Sequence, residues 1–189
     1  MNNILYIYGY GSSLKSTTYQ WLKTSLKSDN VYCEEYNQND PETSVPYLCK
    51  MVFEKNINII IGSSFGGWYA LHVAGRTGRK CILINPLTDK NLEEVLRKTC
   101  QCPYFDKILE FQNQHPLFEP NENVFELWDT IENGCFTWVI LGKKDKVIPF
   151  EKQDIQKYVK NVVEIPEGGH RLSEEEKDRC INYCINKLT

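Results

Sequence analysis

Residues 58–70 read NIIIGSSFGGWYA. The three isoleucines Ile59 to Ile61 are apolar on consecutive positions, the pattern of a strand buried on both faces rather than on one. A helix-like segment begins near Phe65, so GSSFGG between them is a strand-to-helix turn. In G-x-S-x-G the glycines stand two residues either side of a nucleophile, because the sharp turn presses those positions against neighbouring backbone and leaves no space for a Cβ. Gly62 and Gly66 satisfy that spacing for Ser64 alone, since Ser63 has Ile61 two residues before it. The competing reading is a glycine-rich turn whose serines are incidental.

The same strand signature recurs along the chain, giving Ile4 to Tyr8, Val31 to Cys33, Ile57 to Gly62, Cys81 to Asn85, Phe136 to Leu141 and Asn161 to Ile165. Helix-like segments separate these runs, and that alternation marks an α/β protein with a parallel sheet, here of about six strands with helices packed on it. Tyr19, Leu22 and Leu26 form one helical stripe. Leu48, Met51 and Val52 form another, after the turn-like NDPETSVP. Ser173 with Glu176 three residues on is a capping box that opens a last helix, with Cys180, Ile181, Cys184, Ile185 and Leu188 on its buried face. Pro86 to Gly134 breaks the rhythm. It has room for a crossover helix, Leu92 to Leu96, plus an insertion within 86–134 that reads either as a lid over the strand ends or as a second packed helix pair.

Length and composition set the outer limits. A chain of 189 residues fits one domain with a sizeable core, spanning 1–189. With 41% hydrophobic residues, 25% charged residues and a formal charge of −3, it lacks the basic excess of a nucleic-acid binder. MNNILYIYGYGSS offers no basic n-region and an apolar run too short for a signal peptide or a membrane span, so the expected location is cytoplasmic. The 8 cysteines are dispersed and fall mostly at positions that periodicity buries, so they read as small core hydrophobes. Cys100 and Cys102 have no second ligand pair at zinc-site spacing, and neither a metal nor a cofactor is expected.

A serine hydroxyl is a weak nucleophile and needs a base. Of 3 histidines, His72 lies on the same helix as the serine turn, about 12 Å along the axis, which is too far for a hydrogen bond. His115 falls in the insertion. His170, in IPEGGHRL after the last strand, sits at the carboxyl edge where an open α/β sheet gathers its functional loops. The acid that orients such an imidazole is expected at Asp145 in GKKDKVIPF, with Asp89 as the other candidate. Acyl transfer also needs oxyanion donors, assigned to the backbone N–H groups of Phe65 and of Tyr10 in YGYGSS. Trp68, Phe118 and Trp128 are candidates for lining an acyl pocket. A tryptophan one turn into a helix has core packing as its competing role.

The motifs ILYIYGYGSS, IIIGSSFGGWYA, LINP, LGKKDKVIP and EGGH, in that order, resemble the α/β-hydrolase superfamily, and most closely the small YqiA-like esterase family. The resemblance spans nearly the whole chain. It implies a three-layer α/β-hydrolase fold with a minimal, mostly parallel sheet. It also implies a serine hydrolase that cleaves a small-molecule carboxylic ester or acyl thioester through an acyl-enzyme. One departure stands out: Tyr8-Gly9 occupies the place where such proteins commonly read His-Gly, and this bears on the oxyanion loop.

Two other classes compete with this reading. GYGSSLKS, Gly9 to Ser16, matches a phosphate-binding G-x-x-x-x-G-K-S except at Leu14, where the missing glycine would block close approach to phosphate. The alternative is a non-enzymatic binding module on the same fold, because folds do not dictate functions.

Overall fold

A computed structural model describes residues 1–99, 102–117, 136–152, 155–157 and 159–189. Among them are six parallel strands: β1 (Asn3–Ile7), β2 (Asn30–Tyr32), β3 (Ile59–Ser63), β4 (Lys80–Ile84), β5 (Thr137–Gly142) and β6 (Asn161–Ile165). They form a single sheet in the order β2-β1-β3-β4-β5-β6, with every neighbouring pair parallel. The order reverses between β1 and β3. In an open α/β sheet the carboxyl ends of the strands at such a reversal are the usual place for a ligand.

Alternation along β1 shows how the layers are made. Ile4, Tyr6 and Tyr8 face one side with α1 (Thr17–Ser25) and α6 (Glu174–Leu188), whereas Leu5 and Ile7 face the other. That second face is covered by α2 (Pro41–Glu54), α3 (Phe65–Thr77), α4 (Asp89–Glu94) and α5 (Phe105–Gln114). The result is helices on both faces of the sheet, as the strand signature demands: strands this apolar on consecutive positions need two covers. Ile59, Ile60 and Ile61 are all fully buried.

Two local features differ from expectation. The turn-like NDPETSVP is mostly helix, because α2 starts at Pro41, and proline at the first helical position gives up only an N–H that has no intrahelical partner there. Pro46 lies inside α2, and the buried Val45, Leu48, Met51 and Val52 hold that helix against the sheet despite it. The crossover helix spans Asp89–Glu94 and continues as a π-type turn over Val95–Thr99. Beyond it, α5 buries Phe105, Ile108 and Phe111 in the same core as α3, so the described part of 86–134 is a packed helical layer.

The capping box forms as read. The Ser173 hydroxyl accepts the Glu176 N–H at 3.2 Å, and the Glu176 carboxylate accepts the Ser173 N–H at 2.7 Å. Cys33, Cys81, Cys102, Cys180 and Cys184 are buried free thiols and Cys49 is half-buried, while Cys100 and Cys135 lie outside the described residues. Burial pushes the Cys33 and Cys184 thiols up to about 12, so both stay protonated and unreactive at neutral pH.

Candidate active site

Ser64 links β3 to α3 and holds a backbone at φ 54°, ψ −125°, a region that side chains rarely enter and that costs about 1–3 kcal/mol. Three backbone bonds fix it there. The Ser64 N–H donates to the Ile84 carbonyl at 2.9 Å, and the Ser64 carbonyl accepts the N–H groups of Gly67 at 2.9 Å and Leu87 at 3.0 Å. The flanking glycines are required by space. A Cβ on Gly62 would lie 2.5 Å from the Gly66 carbonyl oxygen, and one on Gly66 would lie 2.2 Å from that of Ile7. The elbow is thus wedged between its own helix and the end of β1, and the turn thrusts the Ser64 side chain outward.

Ser64 Oγ lies 3.1 Å from His170 Nε2, and His170 Nδ1 lies 2.8 Å from Asp145 Oδ2. Residues 106 and 25 positions apart in sequence are brought into one hydrogen-bonded line. The other carboxylate oxygen of Asp145 accepts the N–H groups of Val147 at 2.8 Å and Ile148 at 2.9 Å. The acid is almost fully buried and aimed by its own loop, and the imidazole side chain keeps 22% exposure, enough to meet a substrate. Ser63 is turned elsewhere, its hydroxyl 2.8 Å from the Tyr6 hydroxyl within the α1 layer. The chemistry available to such a line is proton abstraction from Ser64 by a neutral imidazole whose tautomer the carboxylate fixes.

Asp89 sits in different surroundings. It accepts the Trp68 indole N–H at 3.0 Å and the Leu117 N–H at 2.6 Å, so it ties α4 to α3 and to the end of the α5 segment. Trp68 itself is fully buried, its ring 5.5 Å from Phe65 and 5.8 Å from Phe111. The expectation that Trp68 lines a pocket is therefore corrected: it packs the core under the elbow, as a residue one turn into a covered helix does. Phe118 and Trp128 lie outside the described residues. His72 is buried on α3 and His115 ends α5; neither is bonded to Ser64.

Phe65 is the first residue of α3, where N–H groups have no intrahelical acceptor and the helix dipole favours negative charge. The loop after β1 passes directly against the serine: a Cβ on Gly9 would lie 3.0 Å from Ser64 Cβ. Tyr10, the next residue, lies with its ring 6.1 Å from that of Phe65. A group that sequence reasoning missed holds the loop. Gln38 Nε2 donates to the Gly9 carbonyl at 2.7 Å, and Gln38 Oε1 accepts the Gly11 N–H at 2.9 Å, so one carboxamide straddles Tyr10. Tyr36 donates its hydroxyl to the Tyr8 carbonyl at 2.7 Å, and burial pushes its phenol well above the usual value, so it remains a donor. Tyr8, in the place of the expected histidine, is buried with its ring 5.0 Å from that of Tyr36. No periodicity points to Gln38. The only sequence signal is a polar cluster, YNQND at 36–40, in the segment that follows an edge strand.

Among the described residues no group of three or more His, Cys, Asp or Glu side chains is arranged to hold a metal ion. None of the described helices is long and apolar enough to cross a membrane.

A parallel sheet covered on both faces, with a strained serine elbow after β3 and acid and histidine loops after β5 and β6, defines the α/β-hydrolase fold. The chain belongs to the Uncharacterised protein family (UPF0227), whose family model matches residues 3–178. No curated protein matches it. Solved structures similar to it include alpha/beta hydrolase domain-containing protein 10 from mouse, at 16% identity and a TM-score of 0.63, covering 99% of this chain and 90% of that one. Est1E from Butyrivibrio proteoclasticus, bound to ferulic acid, is similar at 13% identity and a TM-score of 0.69, covering 100% of this chain and 90% of that one. The RedJ thioesterase of the prodiginine pathway in Streptomyces coelicolor is similar at 13% identity and a TM-score of 0.55, covering 98% and 85%. At these identities the likeness speaks to the fold.

Proposed function

We propose that the protein is a serine hydrolase that cleaves a small carboxylic ester or acyl thioester through an acyl-enzyme. The observation that carries this reading is the unbroken line from Asp145 through His170 to Ser64, at 2.8 Å and 3.1 Å, on an elbow with a strained backbone. His170, oriented by Asp145, takes the Ser64 proton as Oγ attacks the carbonyl carbon. The tetrahedral oxyanion is held by the N–H groups of Phe65 and Tyr10, each such donor being worth roughly 3 kcal/mol. The imidazolium then protonates the departing alkoxide or thiolate. Water, activated by the same imidazole, attacks the acyl-serine, and the acid leaves as Ser64 regains its proton. The inclusion of thioesters draws support from a thioesterase among the proteins of the same fold, which is fold-level analogy.

The test is turnover of p-nitrophenyl butyrate and of a short acyl thioester, together with fluorophosphonate labelling and mapping of the modified residue. Ser64→Ala is expected to lose turnover by about four orders of magnitude or more and to lose labelling completely, while Ser63→Ala keeps both. Equal rates in wild type and Ser64→Ala would refute the nucleophile. A protein that neither turns over nor labels would be a binding module on a hydrolase fold.

A further inference from the structure

Asn85 follows β4 and is 1% exposed, with a left-handed backbone at φ 41°. Its carboxamide nitrogen donates to the Gly169 carbonyl at 2.9 Å and to the His170 carbonyl at 3.1 Å, and its oxygen accepts the Gly142 N–H at 2.7 Å. The first two partners lie on the loop that carries the base. The third ends the strand that leads to the acid. Only a carboxamide offers two donors and an acceptor in this span, and asparagine tolerates left-handed backbone better than other side chains do. Backbone and side chain therefore select the same residue.

The two loops it joins are already in contact. A Cβ on Gly142 would lie 2.5 Å from the Gly168 carbonyl oxygen and 2.6 Å from that of Gly169. The Lys144 N–H donates to the Gly168 carbonyl at 2.8 Å, so acid loop and base loop run backbone against backbone. The acid strand is already referred to the elbow, because β5 pairs with β4, whose last residue Ile84 accepts the Ser64 N–H. Asn85, the next residue, extends that reference to the base loop through its bonds to the Gly169 and His170 carbonyls.

Resting on the hydrolase reading, we propose that Asn85 is a positioning residue: it fixes the main chain of His170 relative to both Ser64 and Asp145. It touches no substrate and transfers no proton. Its removal lets the imidazole drift along the line from acid to nucleophile, and a displacement near 1 Å at a reacting group costs about a hundredfold in rate.

Two variants separate placement from folding. Asn85→Asp keeps the shape and the acceptor but loses both donors and sets a carboxylate against two carbonyl oxygens; Asn85→Gly keeps the left-handed backbone and loses all three bonds. For each, kcat and KM on p-nitrophenyl butyrate are measured alongside the low-field proton resonance of the His170–Asp145 hydrogen bond. The expected result is a kcat lowered about tenfold to a hundredfold with KM within about twofold of wild type, and a shifted or broadened resonance. Folded variants with wild-type kcat and an unchanged resonance would overturn the inference. So would loss of a cooperative unfolding transition in both, because Asn85 would then serve the fold rather than the placement of His170. Fluorophosphonate labelling of wild type at Ser64 is measured first. If it fails, the hydrolase reading falls and this inference falls with it; if it succeeds and the variants behave as wild type, only the role of Asn85 falls.

Discussion

Among single residues, Ser64 holds a backbone that works against stability, in the place where the proposed reading puts the nucleophile. Its backbone at φ 54° costs about 1–3 kcal/mol for a residue with a Cβ, and the bonds to Ile84, Gly67 and Leu87 keep it there. Glycine enters this region without strain but adds roughly 0.5–1 kcal/mol of unfolded-state entropy. Ser64→Gly is therefore expected to be more stable than Ser64→Ala by about 0.5–2 kcal/mol in urea denaturation, with both variants inactive. Equal stabilities would mean that the elbow stores no strain. The comparison is made between two inactive variants so that the hydroxyl is absent from both, and only the Cβ differs.

Among elements, the distinction is between what a pattern reveals and what a tether does. The six strands are legible because consecutive apolar residues recur at intervals that helices fill, and Ser64, Asp145 and His170 are legible because each follows one of those strands. Gln38 and Asn85 are not. Their bonds join a side chain to backbone 27, 29, 57, 84 and 85 residues away, and bonds at such separations leave no periodic trace in composition or spacing. Trp68 misleads for the opposite reason: an aromatic side chain near an elbow has the same sequence signature whether it lines a pocket or fills the core. Gln38 also yields a prediction at this scale, since it clamps the loop after β1 to the segment after β2 on either side of Tyr10. Gln38→Met keeps the side chain's volume and loses both clamps. On the proposed reading Tyr10 is an oxyanion donor, and misplacing such a donor costs less than deleting it, so kcat is expected to fall about tenfold to a hundredfold with KM nearly unchanged. A rise in KM alone would assign the segment to ground-state binding instead.

For the whole molecule, the helical layer made by α2 to α5 contains a buried base. His72 is 2% exposed between the rings of Trp68 at 4.3 Å and Phe111 at 5.2 Å, and its Nδ1 lies 3.1 Å from the Arg76 guanidinium. Among the described residues, its Nε2 has no hydrogen-bond partner. Burial, then the charge of Arg76 and the proximity of His115, push its pKa well below 6.5. The folded protein thus keeps this imidazole neutral while the unfolded chain takes up a proton near 6.5, so the unfolded state binds more protons as pH falls through that value. Stability contributed by the neutral ring is complete above pH 6.5 and declines below it, with a limiting slope of about 1.4 kcal/mol per pH unit. At pH 5.5 the loss is about 1.4 kcal/mol relative to pH 7.5. His72→Gln removes the titration and keeps a polar side chain of similar reach. Its stability deficit against wild type, measured by urea denaturation, is expected to narrow by about that amount between pH 7.5 and 5.5. Carboxylates elsewhere titrate equally in both proteins and cancel in the difference, so a deficit that stays constant across this window would mean that the ring charges inside the folded core.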